Sequence, residues 1–465
     1  MRDQVRRMAD AIAHRGPDHG GQWVDAAQRV ALGHRRLAIV DLSPQGAQPM
    51  VSHCGRYVVA YNGEIYNHLE LRSVLGPLPW RGHSDTETLL AAFSRWGVVE
   101  ALPRLVGMFA IAVWDRETHS LTLIRDRMGE KPLYWGHLPN GDMVFGSELK
   151  ALRVHPEWRG DIDRDALTLY LRHSAVPAPW SIYRGVRKLE PGAWVRCAAG
   201  RADEHGRWWR IDEAARHGLA SRTETAVWAD TEATDRLEAL LLQAVRSQLL
   251  ADVPLGAFLS GGVDSSTVVA MMVRGAHERV RSFAIGFDHP GFDEAEHARA
   301  VAAHLGTDHT ELRVSAADAL AVVPRLPRLY DEPFADSSQI PTALVTAMAR
   351  RGVTVALSGD GGDELFAGYN RYLIADRLWH RIGRVPLPLR RAAARALLGV
   401  DAGTWSALAD RLQALRPARQ RHAEVGPKLH KLARCVLPMP TLEAMHRALA
   451  SQWLEPEALV VDGHE

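Results

Sequence analysis

Residues 259–266 read Leu259-Ser260-Gly261-Gly262-Val263-Asp264-Ser265-Ser266, and this segment constrains the fold of the chain more than any other. It follows an apolar run and opens a second one that Gly275 can end. A strand turning through two glycines into a helix leaves several backbone N–H groups pointing outward. The helix dipole and the serine hydroxyls complete a cradle for an anion. No Gly-Lys-Ser/Thr follows the glycines, so the loop is not a Walker A motif. Asp264 would repel a phosphate there unless Mg²⁺ bridged the carboxylate and the phosphate oxygens. Around this loop, short apolar runs at 255–259, 281–287, 309–314 and 353–357 alternate with helical patterns at 266–274 and 293–305. That alternation predicts a doubly wound parallel α/β sheet.

In such a sheet, loops at the carboxyl ends of neighbouring strands converge on one crevice. The last of these strands leads into Ser358-Gly359-Asp360-Gly361-Gly362-Asp363-Glu364. Taken alone this is an acidic turn. Taken with the first loop, it offers Asp363 as a second magnesium ligand and Asp360 beside a reacting carboxyl group. The sheet is preceded by a helical pattern with Leu237, Leu241, Val245 and Leu249 on one face, for which Asp235 and Glu238 suggest a cap. The last ninety residues are helical in pattern.

The first 200 residues differ in texture. Runs at 30–40, 57–61, 108–114, 121–125 and 143–147 predict strands, and 85–96 predicts a helix. At 465 residues the chain exceeds one ordinary core. We place one domain at 1–200, a linker at 201–233 and a second domain at 234–465. A net charge of +1, from 56 basic and 55 acidic residues, argues against a nucleic-acid partner. The arginine-rich stretch at 384–395 reads as a solvated helix face. Three cysteines, Cys54, Cys197 and Cys435, lie far apart with no CxxC spacing, which fits a cytoplasmic location and gives no zinc signature. The longest apolar run, near 105–114, is too short for a bilayer, and no partner membrane is expected.

Four short segments of the first domain carry amide chemistry when combined: His14-Arg15-Gly16-Pro17-Asp18, His34-Arg35-Arg36-Leu37, Asn62-Gly63-Glu64-Ile65-Tyr66-Asn67 and Ser84-Asp85-Thr86-Glu87. Arg36 can grip an α-carboxylate bidentately. Glu64 and Asp85 can hold an α-ammonium group. The Asn62 side-chain amide and the Gly63 N–H can form an oxyanion hole, where one donor is worth roughly 3 kcal/mol of barrier.

SGGVDSS resembles the pyrophosphate loop of the ATP-pyrophosphatase superfamily, and LSGDGGDELFAGY at 357–369 resembles asparagine synthetases and their near relatives. The four N-terminal segments, with Arg125-Asp126-Arg127-Met128-Gly129-Glu130-Lys131-Pro132-Leu133-Tyr134, resemble class II glutamine amidotransferase domains. The resemblance runs from residue 8 to at least 372. It implies an αββα sandwich of the N-terminal-nucleophile hydrolase type, then the parallel sheet with extra C-terminal helices. It also implies that Ser260, Gly261, Gly262, Asp264, Ser265 and Ser266 hold pyrophosphate. The backbone around Leu259, Ile285, Ser358 and Gly359 would hold adenosine, and Asp264 and Asp363 would bind Mg²⁺. Asp360 stands where the family often has Glu, in forming or consuming an acyl-adenylate.

The implied activity is ATP-dependent synthesis of asparagine from aspartate, with ammonia drawn from glutamine. The alternatives are another acceptor, such as a sugar acid in polysaccharide assembly, or a non-catalytic nucleotide-binding fragment. The segment at 330–338 is expected to border the acceptor pocket. A homodimer is left open. The family's nucleophile is an N-terminal cysteine, whereas this sequence starts Met1-Arg2-Asp3 and first reaches cysteine at Cys54, read as a strand-end or loop residue. The expectation is an inactive glutaminase half, at a cost on the order of a millionfold in rate. The C-terminus reads as short for the family, with Lys428 and Lys431 the nearest lysines.

Overall fold

The computed structural model describes residues 1–222, 228–276, 278–287, 294–413 and 425–465. These divide into two compact units, residues 1–170 with 175–359, and residues 171–174 with 360–465.

The first unit opens with an antiparallel sandwich. Strands β1 (His19–Asp25) and β2 (Val30–Arg36) pair as a hairpin. Strands β3 (Met50–Val51), β4 (Tyr57–Ile65), β5 (Gly107–Asp115), β6 (Ser120–Arg125), β10 (Ala193–Ala198) and β11 (Glu204–Arg207) form a sheet in the order β11-β10-β6-β5-β4-β3. Strands β7 (Tyr134–His137), β8 (Met143–Gly146) and β9 (Val186–Lys188) form a third sheet in the order β8-β7-β9. Strand alternation divides the large sheet into two faces. Tyr57, Val59, Tyr61, Ile111 and Val113 meet Leu89, Leu90 and Phe93 of the helix Asp85–Trp96. Val58, Ala60, Ala110, Ala112 and Trp114 meet Leu32, Trp135 and Phe145 of the smaller sheets, with Leu133 just before β7. The helix Arg2–Asp10 covers β2 from outside, where a Cβ on Gly33 would lie 3.0 Å from Val5. The layers therefore run helix, sheet, sheet, helix, as expected.

The same unit continues into a parallel sheet. Strands β12 (Leu255–Phe258), β13 (Arg281–Phe287), β14 (Asp308–Val314) and β15 (Val355–Leu357) lie in the order β14-β13-β12-β15. One face packs Ala257, Leu259 and Leu357 against Val269, Met272, Ala298 and Ala302. On the other, Phe258, Phe283 and Val353 meet Val345, Met348 and Ala349. Helices thus cover both faces, and the order reverses between β12 and β15 (the topological switch point).

Some local expectations shift. The helix leading into this sheet starts at Asp230, so Asp235 sits inside it and caps nothing. Acidic Asp230 and Glu232 in the first turn favour that earlier start. The expected strand at 30–40 stops at Arg36, and the one at 353–357 begins at Val355. The stretch at 201–233 holds β11, paired to β10, and a helix, Ile211–Ala220.

The second unit is helical. The helices Asn370–Ile382, Val425–Cys435 and Leu442–Ala450 enclose Ala375, Cys435, Val436, Met445 and Ala448. The arginine-rich segment forms the helix Leu387–Leu398, but it is not solvated throughout. Arg390 is buried, donates to the carbonyls of Val385 at 3.0 Å and Met439 at 2.8 Å, and lies over the Trp379 ring. No helix among the described residues is long and apolar enough to cross a membrane.

Candidate active sites

The phosphate loop occupies the switch point. Its helix runs Val263–Gly275 with Gly262 before the first turn and no side-chain cap, so the terminal N–H groups stay available to a ligand. Gly261 has φ +82°, and a Cβ there would lie 2.7 Å from the Ala298 nitrogen. Only glycine can make this turn, because a side chain would meet both left-handed strain and backbone. Ser265 locks the loop: its hydroxyl lies 3.0 Å from the Ser260 hydroxyl and accepts from the Ser260 N–H at 3.2 Å. The Ser266 hydroxyl is buried without a partner. An orphaned donor beside open N–H groups suits phosphate oxygens.

Leu259 donates its N–H to the Phe283 carbonyl at 2.9 Å, joining the loop to β13, the strand that bears Ile285. From β15 the chain passes Ser358 to Gly359, whose Cβ, if present, would lie 2.7 Å from the Ser265 nitrogen. The structure therefore brings Leu259, Ser260, Gly261, Gly262, Asp264, Ser265, Ser266, Ser358 and Gly359 to one locus. Asp360 and Asp363 belong to the second unit. There Asp363 lies in the short helix Gly362–Phe366, and its carboxylate occupies the space a Cβ on Gly368 would need.

The second site lies in the sandwich. Arg36, Asn62, Gly63, Glu64 and Asp85 all line one cavity of about 1630 Å³. Arg36 ends β2, is buried, and donates to the carbonyls of Ser43 at 3.0 Å and of Asp41. Its guanidinium thus shapes the loop at 40–43 as well as facing the cavity. Asp85 accepts from the Tyr61 hydroxyl at 2.7 Å and the Ile65 N–H at 2.9 Å through one oxygen. Glu64 is buried beside it, and burial first, then the Asp85 charge, push its carboxyl up to about 7. A buried carboxyl of that kind would be stabilised in its charged form by an arriving ammonium group. Asn62 reaches Ser147 at 3.5 Å. A Cβ on Gly63 would lie 2.1 Å from the Met108 carbonyl, so close β4–β5 pairing demands glycine there whatever its N–H does.

Sequence reasoning missed His34. Its Nε2 lies 2.9 Å from the Tyr61 carbonyl, while Nδ1 is buried without a partner. Burial pulls its pKa down to about 4, so the ring is neutral at pH 7. Only its place in the segment with Arg36 could have pointed to it. Asp126, in the segment at 125–134, proves a scaffold. Fully buried, it accepts from the N–H groups of Phe109, Met128, Glu130 and Lys131 at 2.9–3.1 Å. Cys54 is exposed in the turn before β4, 3.3 Å from Ser52 and 3.4 Å from Ser94, as a loop residue.

The segment at 330–338 was expected beside an acceptor pocket, yet two of its carboxylates face the sandwich. Asp331 accepts from the Lys150 N–H at 2.8 Å and pairs with its ammonium at 2.9 Å. Glu332 accepts from the Ile182 N–H at 2.8 Å and the Tyr134 hydroxyl at 3.0 Å, and pairs with Lys188 at 2.5 Å.

A layered antiparallel sandwich with a polar cavity, followed by a parallel sheet with a phosphate-type loop at its switch point, defines a two-part α/β protein. Residues 1–209 match the glutamine amidotransferase domain family, and residues 236–460 match the asparagine synthase family. A Bacillus subtilis protein, asparagine synthetase [glutamine-hydrolyzing] 1, is 35% identical over 370 residues, covering 79% of this chain and 56% of its own. A Mycobacterium bovis protein provisionally given the glutamine-hydrolysing asparagine synthetase name is 37% identical over 401 residues, 83% of this chain and 60% of its own. A second provisionally named relative, from Methanocaldococcus jannaschii, is 33% identical over 398 residues, 81% of this chain and 75% of its own. The chain belongs to the glutamine-hydrolysing asparagine synthetase family. It spans about 56% of the length of the Bacillus subtilis relative and 60% of the Mycobacterium bovis one.

Proposed function

We propose that this chain activates aspartate with ATP at the 259–266 loop, releases pyrophosphate, and forms asparagine with ammonia. The observation that carries this reading is the switch-point geometry, with Gly359 against the uncapped start of the helix Val263–Gly275. Ser265 keeps the loop in shape, the Ser266 hydroxyl and the terminal N–H groups receive phosphate oxygens, and Asp264 holds a cation. Mg²⁺, when bound, supplies charge neutralisation between carboxylate and phosphate. In our reading Asp363 is a further ligand, Ile285 and Ser358 border the adenosine, and Asp360 handles the proton of the reacting carboxyl group.

In the sandwich cavity, Arg36 would bind the glutamine carboxylate, Glu64 and Asp85 its ammonium, and Asn62 with Gly63 the oxyanion. None of the three cysteines is suited to attack there. Cys54 is exposed in its turn, burial pushes the Cys197 thiol up, and Cys435 belongs to the second unit. The 465-residue chain is therefore expected to use ammonia and not glutamine.

The test is pyrophosphate release by the purified chain with ATP and Mg²⁺, with and without aspartate, on ammonia and then on glutamine. Aspartate-dependent release on ammonia alone supports the reading. No aspartate dependence on either nitrogen source overturns it, and release that instead depends on a uronic acid would establish the sugar-acid alternative.

A further inference from the structure

Three side chains distant in sequence converge on the same cavity without any part in the chemistry above. His137 ends β7, Cys197 lies on β10, and Asp203 immediately precedes β11. Strand β7 belongs to the three-stranded sheet and β10 to the six-stranded one, so the side chains meet across the two sheets. One ligand atom from each lies within 4.8 Å of the other two. His137 Nε2 is 2.8 Å from Asp203 Oδ2, and all three residues line the cavity wall.

Metal–ligand bonds of about 2.0–2.3 Å in a tetrahedral site put neighbouring ligand atoms roughly 3.3–3.7 Å apart. The His137–Asp203 spacing of 2.8 Å is shorter than that range, and no spacing in the set exceeds 4.8 Å, so adjustments of about an ångström suffice. His137, half exposed, can swing by the small amount required. The set is one sulfur, one imidazole nitrogen and one carboxylate oxygen, which suits a borderline ion and not a hard one.

We propose that His137, Cys197 and Asp203 form a site for a divalent cation of the Zn²⁺ type, with the fourth position open to the cavity. Binding forms a sulfur–metal bond at Cys197 and releases the thiol proton to solvent. The bound ion would tie the end of β7 to the edge of the large sheet. Loops at both strand ends would gain a rigid anchor beside the cavity that holds Arg36 and Glu64. No CxxC or HxxxH spacing announces these residues, because 59 intervening positions separate His137 from Cys197.

The test is Co²⁺ titration of the chelator-treated, phosphine-reduced chain. One equivalent should bind, with a thiolate-to-cobalt charge-transfer band and visible bands of tetrahedral intensity. Cys197→Ser should abolish the charge-transfer band, and Cys54→Ser should leave it unchanged. His137→Ala, at an exposed position, should fold with an unchanged metal-free melting temperature and bind at least about tenfold more weakly. Zn²⁺ should displace the cobalt stoichiometrically, while excess Mg²⁺ should not. Absence of the charge-transfer band, or its survival in Cys197→Ser, would overturn the proposal. It would leave the three residues as a plain hydrogen-bonded chain.

Discussion

Gly359→Ala tests the switch-point reading most directly. The added methyl would lie 2.7 Å from the Ser265 nitrogen and 3.0 Å from the Asp264 carbonyl carbon. Both are backbone atoms in the first turn of a helix, so no side-chain rotation can relieve the contact. Either the β15 loop or the helix start must retreat by several tenths of an ångström. Overpacking of this kind costs about 1–3 kcal/mol of stability. The larger consequence concerns the ligand, since misplacement approaching 1 Å can cost on the order of a hundredfold in a preorganised site. We expect weaker ATP binding and pyrophosphate release reduced by roughly ten- to a hundredfold, with the melting temperature lowered by a few degrees. Calorimetric ATP titration, a melting curve and the pyrophosphate assay measure the three quantities. A variant that melts lower but binds and turns over ATP like the parent would refute the assignment of this crevice, because the strain would then be real and functionally silent.

Glu64→Gln should alter how stability depends on pH. The folded carboxyl keeps its proton up to about 7, while the unfolded one ionises near 4.5. The native state therefore binds more protons between these values, and stability falls as pH rises through that window, by about 3 kcal/mol in all. Relative to the parent, the variant should gain stability between pH 5 and pH 8 in urea melts, and a pH-independent difference would contradict the argument. Asp126→Ala leaves a fully buried site empty and strips four N–H groups, that of Phe109 buried, of their acceptor, and should destabilise the chain by about 3 kcal/mol, read from the denaturation midpoint. Asp331→Ala removes the acceptor of the Lys150 backbone N–H and leaves Glu148 as a carboxylate partner of its ammonium, and should cost about 1–3 kcal/mol, with hydrogen exchange at Lys150 as the local readout.

Features set by local chain chemistry were readable in advance. The helix Asp85–Trp96 starts after Ser84, whose hydroxyl accepts from the Glu87 N–H, and stops at Gly97 with φ +91°. Both signals sit within a few residues of the boundary they impose, so the expected span and the observed one coincide. The run at 57–61 was likewise readable as a strand, and the structure sends Tyr57, Val59 and Tyr61 to one face and Val58 and Ala60 to the other. The phosphate loop belongs to this group, since strand, glycines and helix are contiguous. A false local signal also explains the helix at Asp230–Gln248, where Asp235 and Glu238 mimic a cap inside a longer helix.

Charges committed to distant partners could not be read this way. Asp331 and Glu332 stand in an acidic segment between β14 and β15, and their sequence neighbours suggest a polar pocket wall. Their partners, Lys150, Lys188, Tyr134 and Ile182, lie about 150 to 200 positions earlier, on elements of the sandwich. Asp252 repeats the pattern just before β12. It accepts from the Asp41 N–H at 2.7 Å, lies 2.8 Å from His83 Nε2, and donates its own N–H to the Ile39 carbonyl at 2.8 Å. A carboxylate satisfied by long-range partners and one reserved for a ligand are the same letter in the same kind of segment. Only burial and hydrogen-bond saturation separate them, and both depend on the folded arrangement. By that criterion the Asp331 and Glu332 carboxylates are structural. An acceptor pocket bordered by 330–338 must therefore draw its recognition from the remaining residues of that segment or from other elements.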